Sequence, residues 1–135
     1  MKKKIQKILP ILVIIGIGVF IGMGGRSKTK YKTLLIDKKE YKLEIADTPQ
    51  KREKGLMERD FLPENEGMIF IFPKEGHYSI WMYKTKIPLK IIWLDSNWEV
   101  VYVEENVPPC EETNPFKCPS YTPPKPARYV VEINP

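Results

Sequence analysis

Two cysteines, Cys110 and Cys118, stand in the stretch PPCEETNPFKCPSYTPP at positions 108–124, and three chemistries suit such a pair: metal ligation, redox exchange or a cross-link. A structural zinc site asks for about four nitrogen or sulfur ligands, whereas the chain holds these 2 cysteines and 1 histidine, His77. Thiol redox catalysis is normally carried by C-x-x-C, and here Glu111 to Lys117 intervene. The structural reading remains, a disulfide closing a short loop and contributing about 2 to 3 kcal/mol in the chain-entropy model. Its task would be to hold a segment that Pro108, Pro109, Pro115 and Pro119 keep out of any hydrogen-bonded ladder.

Other constellations carry less chemistry. An acyl-transfer site needs a nucleophile beside a base, and His77 follows Gly76 near a turn, where a lone histidine is more often a surface residue. The carboxylate pairs Glu104-Glu105 and Glu111-Glu112 suggest acid/base work on a polysaccharide, but neighbours on a strand point to opposite faces and loop carboxylates are solvated charge. Met57, Met68, Trp81 and Met82, with His77 nearby, form a soft set suited to copper(I). Methionines interleaved with Ile and Phe are more simply core filler, and Trp81 and Met82 face apart on a strand. What remains is a binding surface. Trp81, Tyr83 and Thr85 offer aromatic area and a hydroxyl, while Arg59 and Arg128 offer guanidinium forks that clamp a carboxylate. The competing reading is that Trp81 is core and that the arginines pair with Glu58, Asp60 or Glu132.

The compartment follows from the front of the chain. MKKKIQK (1–7) is basic, and ILPILVIIGIGVFIGMGG (8–25) is 18 uncharged residues. As a helix it reaches about 27 Å, near the roughly 30 Å hydrocarbon thickness, while signal-peptide apolar regions run to about 7 to 15 residues. Length favours an uncleaved transmembrane signal-anchor; the alternative is cleavage near Gly25 and a secreted product. The lysines before the span direct the C-terminal body outside the cytoplasm, on the cell membrane, where paired cysteines oxidise. The formal charge of +5 does not imply nucleic acid: seven of the 22 basic residues precede Tyr31, leaving 15 against 17 acids, a net of −2. The partners expected are therefore the membrane and an unknown small molecule or protein outside, with no nucleic acid and no cofactor.

The elements that position these residues read mostly as strands. Tyr41, Leu43 and Ile45 alternate with Lys42 and Glu44, a half-buried strand. Similar runs fall at 32–36, 68–72, 78–82, 89–94, 99–104 and 128–133, which makes seven strands. Asp95-Ser96-Asn97 is a hairpin turn with Asn97 at positive φ. Asp47-Thr48-Pro49 supplies a cap and a first-turn proline for one short helix that stops at Gly55. The fold expected is mainly β: a small barrel-like sheet of about seven strands with one short helix, preceded by one transmembrane helix. The organisation is 1–7 cytoplasmic, 8–25 anchor, 26–30 linker and 31–135 extracytoplasmic domain.

Ala46-Asp47-Thr48-Pro49, Gly55-Leu56-Met57 with Arg59, Leu62-Pro63, Gly67-Met68-Ile69-Phe70, Trp81-Met82, Ile87-Pro88-Leu89, Leu94-Asp95, Pro109-Cys110, Cys118-Pro119 and Pro126-Ala127-Arg128-Tyr129-Val130 together resemble the family known as domain of unknown function 192. The likeness spans roughly 41–133 and lies in the order and spacing of the pieces. It implies a small mainly β domain behind a signal or anchor, with no established activity. Two positions depart from the pattern: Tyr83-Lys84-Thr85 stands where Lys-Asn-Thr is common, and Lys90 where Asp is common. The function expected is a non-enzymatic, membrane-anchored binding or interaction module. The alternatives are a hydrolytic or carbohydrate-active enzyme and, behind that, a copper-binding protein.

Overall fold

The computed structural model describes residues 28–135. The expected anchor at 8–25 lies outside the described residues, and among those described no helix is long and apolar enough to cross a membrane. The elements are β1 (Tyr31–Ile36), β2 (Lys39–Ala46), α1 (Pro49–Lys54), β3 (Glu66–Gly76), β4 (Ile80–Trp81), β5 (Leu89–Leu94), β6 (Val100–Val107), a 3-10 turn (Pro115–Lys117), β7 (Ser120–Tyr121) and β8 (Ala127–Ile133).

Six strands form one sheet in the order β1-β2-β3-β8-β5-β6, and β4 and β7 form a separate two-stranded ribbon. The mainly β body with one short helix is as the sequence indicates, but the sheet is not closed into a barrel. Among the described residues β1 pairs only with β2 and β6 only with β5, so both ends of the sheet are edges there. Leu34, Leu35 and Ile36 of β1 line one cavity of about 280 Å³ together with Trp98 and Val100, and no ladder joins β1 to β6 among the described residues. The strand expected over 78–82 shrinks to Ile80–Trp81, and Ser120–Tyr121 is its unforeseen partner. The turn after β5 places Trp98, not Asn97, at positive φ (64°). Its indole compensates by stacking on Tyr129 at 3.8 Å, and the Asp95 carboxylate accepts from the Asn97 and Glu99 amides.

β2 and β3 are parallel, which demands a crossover, and α1 with the loop after it supplies that connection. The helix starts as its sequence dictates: Thr48 Oγ1 accepts from the Lys51 amide, and Pro49 stands in the first turn. It stops at Gly55, whose φ of 47° suits glycine and whose missing Cβ leaves room for the Phe70 ring.

The alternation of β2 divides the core. Leu43 packs on one face with Ile69, Ile92, Val131 and Ile133, while Ala46 belongs to the other with Met68, Phe70, Val130, Ile91 and Trp93. This second face is the one covered by α1 and the β4–β7 ribbon, and it holds the site.

Candidate functional site

Register places one lateral row of side chains across the covered face. Glu44 of β2 opposes Met68 of β3, Met68 opposes Glu132 of β8, and Glu132 opposes Ile91 of β5. Glu132 thus sits in the middle of the sheet between a methionine and an isoleucine, 4% exposed. No protein hydrogen bond or ion pair holds its carboxyl among the described residues, and its oxygens are not sealed in, since no fully enclosed side-chain polar atom there lacks a partner. Burial alone pushes its pKa up to about 8, so the group is mostly protonated at neutral pH. β8 reaches this position because Gly67 has no side chain: a Cβ there would run into the Glu132 carbonyl oxygen and the Ile133 side chain.

Above Glu132 lies a cavity of about 260 Å³, lined also by Leu56, Phe70, Phe72, Ile80, Trp81 and Thr85. Arg52, Glu53 and Lys54 of α1 line its outer side, Glu53 and Lys54 being exposed. The Arg52 guanidinium donates to the Ile71 carbonyl at 2.9 Å and lies over the Phe72 ring. Trp81 is 40% exposed and lines both this cavity and an adjoining, more open groove that shares Glu53, Lys54 and Met57 with it and adds Tyr83, Lys84 and Pro115.

The disulfide holds that wall. Cys110 and Cys118 are bonded, with Cα atoms 5.8 Å apart. Cys110 bridges to Tyr83, and two residues after Cys118 begins β7, which pairs Ser120 with Trp81. The cross-link therefore fixes both strands that flank the indole.

Of the residues singled out from sequence, the fold brings Trp81, Tyr83 and Thr85 together; Thr85 is buried in the cavity wall with its hydroxyl 3.5 Å from the Tyr83 carbonyl. The two arginines lie elsewhere. Arg59 grips Glu44 with both terminal nitrogens, Nη2 to Oε2 at 2.8 Å, and this fork holds the Glu44 carboxyl below its ordinary pKa. Arg128 donates from Nε to the Phe72 carbonyl and lies over Tyr129; neither arginine lines the cavity or the groove.

The other constellations also come apart. His77 Nδ1 meets the Pro123 carbonyl at 2.9 Å, and Met68 and Met82 are buried in the core while Trp81 turns outward. Glu104 accepts from the Tyr102 hydroxyl, whereas Glu105 pairs with Lys90 at 3.4 Å. Lys90 also reaches Asp37, so the lysine that departs from the family pattern links β5 to the β1–β2 turn and lines neither space.

Sequence reading passed over Glu132 as a functional residue. Its signal was present: in Val130-Val131-Glu132-Ile133 a carboxylate interrupts a run otherwise apolar on both faces. Arg52 was hidden in a helix that reads as uniformly charged.

A six-stranded open sheet with a helical crossover carries a small, partly apolar cavity on one covered face. The chain belongs to the domain of unknown function 192 family, described as an uncharacterised ACR, whose model matches residues 32–135. Two solved structures share the fold. A protein described as a candidate transcription regulator from Sinorhizobium meliloti 1021 is 26% identical, with a TM-score of 0.67 over 79% of this chain and 84% of that one. A protein of unknown function from Novosphingobium aromaticivorans DSM 12444 is 30% identical, with a TM-score of 0.66 over 82% of this chain and 77% of that one. No curated protein matches the chain.

Proposed function

We propose that this chain is a membrane-anchored extracytoplasmic binding module that takes a small molecule in the cavity beneath α1 and does not turn it over. The observation that carries this reading is Glu132, a carboxyl buried in a central strand, unpaired among the described residues and open to a cavity with aromatic walls. Among the described residues no fully enclosed side-chain polar atom lacks a partner, so the Glu132 oxygens meet the cavity, where a ligand can pair with them in mostly apolar surroundings. Such a convergence of apolar lining with one perturbed polar group is the usual mark of a ligand site.

Binding is favoured over hydrolysis because the cavity's hydroxyls are not activated. Ser79 Oγ is bonded to the Thr122 hydroxyl at 2.7 Å, and Thr85 is near a carbonyl, not a base. The placement outside the cytoplasm rests on the apolar segment at 8–25 and on the disulfide, which suits an oxidising compartment. Charge argues against nucleic acid here, since the described body carries no excess of basic residues.

Crystals soaked in a set of small aromatic amines, acids and alcohols test the site. Density within hydrogen-bond reach of the Glu132 carboxyl supports the reading. Fragments found only on other surfaces, with the cavity empty, contradict it.

A further inference from the structure

The charges around the cavity are sorted by depth. At the floor is Glu132 alone, flanked in its row by Met68 and Ile91. On the outer side, α1 presents Arg52, Glu53 and Lys54, two cations and one anion. The remaining charged groups of that lateral row are committed elsewhere: Glu44 to Arg59, and Glu104, opposite Ile91 on β6, to the Tyr102 hydroxyl. The rings of Phe70, Phe72 and Trp81 line the same cavity, from buried Phe70 to half-exposed Trp81.

Resting on the reading that this cavity binds a ligand, we propose that its ligand is a small zwitterion with an ammonium group and a carboxylate at opposite ends of an apolar body. The ammonium enters first and pairs with the ionised Glu132, and the carboxylate stays at the rim with Arg52 and Lys54. An ammonium brings the hydrogen-bond donors that the Glu132 carboxyl lacks, and aromatic faces on the way in attract a cation. Guanidinium and ammonium groups at the rim suit a carboxylate and disfavour a bare cation.

The arrangement carries a proton signature. At neutral pH the empty site holds Glu132 protonated, so pairing with an ammonium releases that proton to solvent. Affinity then rises with pH, by up to tenfold per unit between pH 6 and 8, while the ligand's own groups keep their charges.

The probes are 4-(aminomethyl)benzoate and its two halves, benzylamine and 4-methylbenzoate, titrated calorimetrically into the full chain in neutral detergent micelles. The zwitterion should bind at least tenfold more tightly than either half and gain affinity from pH 6 to 8. The Glu132→Gln variant should lower its affinity at least tenfold at pH 8 and abolish the pH dependence, leaving 4-methylbenzoate little changed. A Glu132→Gln chain that fails to fold leaves the wild-type comparison of the three probes and its pH dependence as the decisive arm. If 4-methylbenzoate matches the zwitterion, the ammonium at Glu132 is refuted and the cavity remains a binding site. If benzylamine matches it, the carboxylate at the rim is refuted. If none of the three binds, the zwitterion is refuted, and the soaked crystals decide separately whether the cavity binds anything.

Discussion

Arg59 and Arg128 look alike in the sequence, each a guanidinium near aromatic residues, yet the fold gives them different work. Arg59 makes a two-pronged pair with Glu44, the arginine about a third and the glutamate about a fifth exposed. Arg128 makes one bond to a backbone carbonyl. A partly exposed pair is screened, so Arg59→Ala should cost about 1 kcal/mol and Arg128→Ala less, with neither weakening a cavity ligand. Thermal melts of the two variants check the order; loss of ligand binding in Arg128→Ala with an unchanged melt would return Arg128 to the site. Sequence types alone could not separate these roles, because the partner of Arg59 lies 15 residues back on a neighbouring strand. Glu132 was harder still. A carboxylate in an apolar strand can pair with another side chain or face open space, and the register that sets it between Met68 and Ile91, with the cavity beside it, shows the second.

At the scale of elements, the strands of the main sheet and the capped helix were legible, since period-two alternation and the Thr48-Pro49 start are local properties of the chain. What could not be read locally was which strands pair. The β4–β7 ribbon joins residues some 40 positions apart through only two registered pairs, Ile80 with Tyr121 and Trp81 with Ser120. Such a short ribbon is marginal without help, and the Cys110–Cys118 link provides it. Replacing both cysteines by serine should therefore cost about 2 to 3 kcal/mol in urea unfolding and, at temperatures where the fold persists, weaken probes that touch Trp81. Unchanged affinity together with the expected loss of stability would show that the disulfide stabilises the domain without positioning the wall.

For the whole molecule, closure was the misjudged feature. Seven half-buried runs suggest a barrel, but no ladder joins β1 to β6 among the described residues, so the sheet stays open with apolar side chains buried on both faces. The segment at 8–25 sets the expected setting of this domain: the chain should stay with membranes after carbonate washing, and a mature protein beginning near Gly25 in a soluble fraction would argue for cleavage instead. The central claim, an unpaired carboxyl buried beneath a ligand cavity, makes itself felt in the stability of the whole chain. Below about pH 4.5 both folded and unfolded states carry the Glu132 proton; from there to about pH 8 only the folded state does. Stability should thus be fully present at low pH and decline across that window by about 1.4 kcal/mol per unit, then level off. Other carboxylates titrate too, so the measurement is the difference between wild type and Glu132→Gln in urea unfolding from pH 4.5 to 8.5. A gap that shifts by several kcal/mol in favour of Glu132→Gln as pH rises is the predicted result, and parallel curves across the range would contradict the claim.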